Sequence, residues 1–142
     1  MFNEILLPVD LNHESSWKKA LPCALELAKT FGAQLHIMTV VPDFGMTIVA
    51  NYFPDDYEKT ALEGASAALH DFTKQHLPDG MACQHIVSHG TVYEEILETA
   101  ETINADLIVM GSHRPELKDY LLGPNAARVV RHATRSVMVI RD

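Results

Sequence analysis

Leu107-Ile108-Val109-Met110 and Val137-Met138-Val139-Ile140 are two runs of four consecutive apolar residues, rich in β-branched side chains. Successive side chains of a strand point to opposite faces. A strand with one wet face therefore alternates, and one that is apolar throughout is covered on both faces, as in a parallel sheet flanked by helices. Ile5–Val9, Leu35–Val41 and His85–Val87 with its flanks are further short apolar runs. Five strands are expected, the fourth over Asp106–Met110 and the fifth over Ser136–Ile140.

Helical spacing fills the gaps. Trp17, Ala20, Leu21, Ala24, Leu25 and Ala28 recur at steps of three and four, and Gly32 supplies a stop. Pro22 lies inside this pattern, so the helix is either kinked there or starts later than Ser16 suggests. A second pattern runs Tyr57, Ala61, Ala65, Ala68, Leu69, Phe72. A third, Val92, Ile96, Leu97, Ala100, Ile103, follows Thr91-Val92-Tyr93-Glu94, which has the form of a capping box. A fourth runs from Asn125 to His132, with Pro124 suited to the first helical position. Strands alternating with helices predict an α/β fold with parallel pairing and right-handed crossovers.

The 142 residues suit a single domain, 1–142, without repeat or linker. The net charge of -8 argues against a nucleic-acid backbone or an anionic membrane as partner. No run approaches the roughly 20 apolar residues needed to span a bilayer, and Met1-Phe2-Asn3-Glu4 lacks the basic start of a secretory signal. A cytoplasmic protein is expected, with Cys23 and Cys83 as buried free thiols. Pro42–Asp56 carries Phe44, Met46, Ile48, Val49, Tyr52 and Phe53, too apolar for a solvated loop; it is expected to pack over the sheet edge, a partner or a ligand.

Ligands of open parallel sheets bind beyond the C-terminal strand ends, where strand order reverses. The first strand ends in Pro8-Val9-Asp10, the fourth in Met110-Gly111-Ser112-His113. If these strands are neighbours, Asp10 faces the loop after Gly111. Gly111 lets the backbone come close to a ligand with no Cβ in the way. Gly123 opens a helix whose N-terminal amides suit a phosphate. Asp10 can accept hydrogen bonds from ribose hydroxyls or a base amine.

These segments, with Leu121-Leu122-Gly123, Val129-Val130-Arg131-His132-Ala133 and Ser136–Arg141, resemble the universal stress protein family along the whole chain. The resemblance implies a three-layer α/β sandwich, a five-stranded parallel sheet of order 3-2-1-4-5 with helices on both faces. It also implies an adenine nucleotide in many members, and frequent dimers. Carried over by position, Pro8, Val9 and Asp10 line an adenosine pocket, Val40 offers backbone groups to the adenine, and Met110 and Gly111 lie beside the ribose. Ser112, His113 and Arg114 continue that loop, and Gly123, Pro124 and Asn125 hold phosphates. The implied ligand is ATP, ADP or AMP, with magnesium accompanying the phosphates.

Two departures bear on that ligand. ATP-binding members show Gly-x-x-Gly, nine residues, then Gly with Ser or Thr. Here Arg114 stands at the second Gly, and Gly111 and Gly123 are one residue closer together, as in the enteric F/G-type branch that this loop resembles. Arg114 is either a charged fork on phosphate or a solvated surface arginine. Pro124 replaces the Ser, which removes a hydroxyl and a backbone N–H from the phosphate cradle.

Other constellations are weaker. His85 and His89 have a metal-like helical spacing, but they are expected at a strand end and in a turn. His113 is expected to touch ligand or solvent, and His132 the negative end of the fourth helix. Asp10, Glu116 and Asp119 form no catalytic pair by spacing, so no catalytic residue is assigned and at most slow ATP hydrolysis is expected. Val137, Met138, Val139 and Ile140 would form an uncharged edge strand, which invites antiparallel pairing with a second copy. A nucleotide-independent protein-interaction module is the alternative function.

Overall fold

The computed structural model describes residues 1–42, 57–112 and 124–141. Strands β1 (Glu4–Pro8), β2 (Gln34–Pro42), β3 (Gln84–Gly90), β4 (Leu107–Gly111) and β5 (Ser136–Ile140) alternate with helices α1 (Ala20–Phe31), α2 (Tyr57–His76), α3 (Val92–Thr102) and α4 (Pro124–His132). The sheet order is β3-β2-β1-β4-β5 and every pairing is parallel. Its arrangement is the 3-2-1-4-5 α/β sandwich that the sequence led us to expect.

The continuous apolar runs are explained by the two cores. Ile5, Leu7, Leu35, Ile37, Leu107 and Val109 face one way, against Ala20, Leu21, Ala24 and Ala28 of α1 and Leu69 and Phe72 of α2. Leu6, Met38, Ile108 and Met110 face the other way, against Ile96 and Ala100 of α3 and Ala126 and Val129 of α4. Neighbouring residues of one strand thus enter opposite cores. Each fully buried aliphatic side chain contributes roughly 1.5–3 kcal/mol, so the central strands dominate the stability.

Pro22 is accommodated because α1 starts at Ala20, not near Ser16. Proline then falls in the first turn, where its missing N–H would have had no helical partner. The helix ends at Gly32, at a left-handed φ of 64°, and Ala33 N–H returns to Ala28 O at 2.9 Å. Thr91 is the N-cap residue of α3, but its side chain makes no capping hydrogen bond. The expected capping box is therefore absent, although the helix starts where that signal placed it.

Asp106, just before β4, ties the bottom of the sheet together. Its carboxylate accepts the N–H of Asn3 at 2.7 Å and that of Glu4 at 3.2 Å, and its own N–H donates to Glu4 O at 2.9 Å. These bonds fix β1 against β4 in the register Ile5↔Leu107.

His85 and His89 both lie within β3, which pairs with β2 as far as Gly90, rather than in a strand end and a turn. Four residues of strand separate their Cα atoms by about 13 Å. His85 packs on α2: its ring stacks on His70 at 3.9 Å, and its Nε2 lies 2.7 Å from Thr73 Oγ1. His89 Nδ1 lies 3.3 Å from Glu58 Oε1 instead. Cys23 and Cys83 are free thiols, half-buried rather than buried. Burial pushes the Cys83 thiol up. No helix among the described residues is long and apolar enough to cross a membrane.

Burial, then the neighbouring His70, hold the His85 imidazole below the usual histidine range. The unfolded chain therefore takes up a proton more readily than the folded one. The contribution of His85 to stability is complete above about pH 6.5 and is lost as pH falls through its lower folded value. His85→Gln should flatten the acid limb of urea-unfolding free energy measured between pH 7.5 and 5. An acid limb as steep as that of the natural chain would contradict this.

Candidate functional site

The parallel pairing of β1 and β4 brings two chain segments, about a hundred residues apart, to one end of the sheet. After β1 the chain enters a loop and a 3₁₀ turn at Glu14–Ser16. Asp10 organises this loop. Its Oδ1 accepts the Asn12 N–H at 3.0 Å, an Asx turn, and its Oδ2 lies 2.8 Å from His13 Nδ1. Ser16 closes the loop from the other side. Its Oγ accepts the Asp10 N–H at 2.9 Å, and donates towards the carbonyl oxygens of Asp10 at 3.0 Å and His13 at 2.8 Å.

Gly111 ends β4 against this loop. A Cβ on Gly111 would stand 2.7 Å from Ser16 O and 3.0 Å from Ser15 O. The close approach that the glycine permits is thus by the protein's own backbone. Sequence reasoning had reserved that space for a ligand. One residue on, Ser112 N–H donates to Ile140 O at 3.0 Å and ties the loop root to β5.

Trp17 fixes the far end of the same loop. Its ring meets Phe72 edge-on at 4.9 Å and His76 at 4.6 Å, both on α2. Its indole nitrogen is buried without a hydrogen-bond partner among the described residues, which costs about 1–3 kcal/mol. The aromatic packing has to outweigh that cost.

Over these strand ends lies a cavity of about 570 Å³, within the size range of small-ligand sites. Of the positions singled out from the sequence, Pro8, Val9, Asp10, Val40, Met110, Gly111, Ser112, Pro124 and Asn125 all line it. His113, Arg114 and Gly123 lie outside the described residues, as do Glu116, Asp119 and residues 43–56 of the apolar loop; Pro42 belongs to β2. Pro124 is the first residue of α4, as expected. The N-terminal turn of α4 reaches the cavity through Pro124, Asn125 and Ala126.

Sequence reasoning missed a second group of lining residues. Ala65 and Ala68 of α2 and Val92 and Ile96 of α3 close the two sides, and Asn12, His13, Ser15 and Ser16 form the rim beside Asp10. The alanines were visible only as helical periodicity. The rim residues had a usable signal, since Asp followed by Asn and Ser at short offsets is turn chemistry. Among the described lining residues the ionisable side chains are Asp10 and His13. At the end of β3, the Glu95 carboxyl lies beside the position of a Cβ on Gly90. Burial pushes it up, Glu98 and Glu94 add to the effect, and His89 opposes it.

The sequence profile of the Universal stress protein family matches residues 1–141. The chain belongs to the universal stress protein family. It is 31% identical over 143 residues to Universal stress protein G of Shigella flexneri, with 99% of this chain and 100% of that protein covered. It is similar in structure to MJ0577 of Methanocaldococcus jannaschii, at a TM-score of 0.75 and 25% identity over 100% of this chain and 97% of that one. A universal stress protein crystallised in complex with cAMP shares the fold, at a TM-score of 0.63 and 21% identity over 99% of this chain and 97% of that one.

In this universal stress protein, then, Gly111 serves the packing of the β1–α1 loop. Gly111→Ala should force the Glu14–Ser16 turn to shift, because the obstructing atoms are backbone and cannot swing away. We expect a loss of roughly 1–3 kcal/mol in urea unfolding. Stability equal to that of the natural chain would show that the turn yields freely.

Proposed function

We propose that this chain binds an adenine nucleotide in the cavity over β1, β2 and β4 and acts in stress response or its regulation as a dimer. The observation that carries the reading is convergence: positions chosen from four separate stretches of sequence line one cavity at the point where strand order reverses. Family membership supports it, and the cAMP complex shows that a protein of this fold can hold such a ligand.

In this reading Val40 offers backbone groups to the adenine, and Pro8 and Val9 wall the base and sugar. Asp10 accepts from the ribose or the base amine through lone pairs that Asn12 and His13 leave open. Met110, Gly111 and Ser112 flank the ribose. Asn125 and the first turn of α4 meet the phosphates, with His113, Arg114 and Gly123 nearby in sequence. No group of three or more His, Cys, Asp or Glu among the described residues could hold a metal. In this reading magnesium accompanies the phosphates. No residue is assigned a catalytic role.

Pro124 sets the ligand preference. It supplies neither hydroxyl nor N–H at the head of α4, and each charge-assisted hydrogen bond lost costs about 1.5–3 kcal/mol. Adenosine is gripped normally and a triphosphate weakly, so AMP or ADP is preferred to ATP. Calorimetry should find AMP or ADP at least as tight as ATP, and Pro124→Ser should tighten ATP by roughly tenfold or more. A nanomolar ATP site far tighter than the AMP site in the natural chain would refute this preference.

The dimer rests on β5. This strand pairs with β4 on one side and stands at the sheet edge. Val137, Met138, Val139 and Ile140 are half-buried, and such an apolar edge is a template for a second copy. Val139→Lys should convert dimers to monomers in sedimentation; an unchanged mass would remove β5 from the interface. The cytoplasmic placement belongs to the same proposal and is compatible with two free thiols.

A further inference from the structure

We propose that His13 makes the cavity's choice between charged and uncharged ligands depend on pH, with Asp10 as the residue that positions it. The inference rests on the adenine-nucleotide reading of the cavity and adds a control that this reading does not contain.

The geometry is specific. Asp10 Oδ2 lies 2.8 Å from His13 Nδ1. A carboxylate only accepts, so Nδ1 carries the proton and Nε2 is the ring's remaining polar atom. In the neutral ring Nε2 is a lone pair, which repels a phosphate oxygen. In the imidazolium it is a donor with a positive charge, which attracts one. Histidine is the side chain whose charge ordinarily changes between pH 5 and 8.

The surroundings amplify the change. Among the described residues that line the cavity, α2 contributes Ala65 and Ala68, α3 Val92 and Ile96, and the head of α4 Pro124, Asn125 and Ala126, none of them titratable. Met110, Gly111 and Ser112 of β4 and Met38 to Pro42 of β2 are likewise uncharged. On the loop itself, Glu14 is paired with Lys18 at 3.9 Å, both well exposed. The described lining therefore carries the single negative charge of Asp10 when His13 is neutral, and no net charge when it is protonated. An anionic ligand meets one more negative charge on the described lining in the first state than in the second. An uncharged nucleoside is indifferent to the difference. Both side chains are nearly half exposed, so solvent screens the effect and holds it to roughly fivefold in affinity.

The test is calorimetric titration of the full chain with adenosine and with AMP at pH 8 and pH 6. It compares the natural protein with His13→Gln, which is always neutral, and His13→Lys, which is always charged. The ionisation of the AMP phosphate acts on all three, and the comparison of His13→Lys with His13→Gln, neither of which changes charge, measures its size. Relative to His13→Gln, the ratio of AMP to adenosine affinity in the natural chain should rise roughly fivefold from pH 8 to pH 6. His13→Lys should show the raised ratio at both values. If the natural chain and His13→Gln keep the same ratio at both pH values, the inference is overturned while the nucleotide reading stands. If neither adenosine nor AMP binds, the nucleotide reading fails and the inference fails with it.

Discussion

The pairing of β1 with β4 is the contact on which the rest of the molecule depends. Ile5, Leu6, Leu7, Ile108 and Val109 have no exposed surface, and Asp106 clamps the two strands at their N-terminal end. From this rigid pair the chain departs in opposite directions. β1 leads to α1, which packs on one face of the sheet, and α4 packs on the other. A cleft has to open between diverging connections, and it opens at the C-terminal strand ends. The cavity is thus a by-product of topology, and the side chains at its rim give it chemistry.

Those rim side chains are engaged with one another. Asp10 satisfies one amide and one imidazole of its own loop, Ser16 braces that loop, and Gly111 leaves room for it. A carboxylate held from two sides loses little freedom when a ligand arrives, which lowers the cost of binding. The same arrangement makes the loop intolerant of bulk at Gly111, the residue that ends the apolar strand β4.

What could be read from the sequence followed the strength of the local signal. β4 and β5 announced themselves because runs without polar interruption have few other uses, and the strand ends followed once their neighbours were known. Pro22 left two readings open because a proline in a first turn and a proline at a kink look alike until the helix start is fixed. Thr91 matched a capping pattern that its side chain does not use, since a pattern specifies residue types and leaves rotamers undetermined. The length of β3 was hidden because a strand at the sheet edge, with Gln84, Ser88 and His89 in it, lacks a continuous apolar signature. Gly111 was singled out as a position of close approach, but what approaches it was not visible. The obstructing atoms belong to a turn about a hundred residues earlier, and only the folded chain brings them together.

Trp17 is the chain's sole tryptophan, and it sits on the connection that carries Asp10 and His13 while resting on Phe72 and His76 of α2. The protein's tryptophan fluorescence therefore originates from one place, the contact between the rim loop of the cavity and the helix beside it. Any rearrangement of that rim is reported optically by a residue that does not itself line the cavity, with no label required.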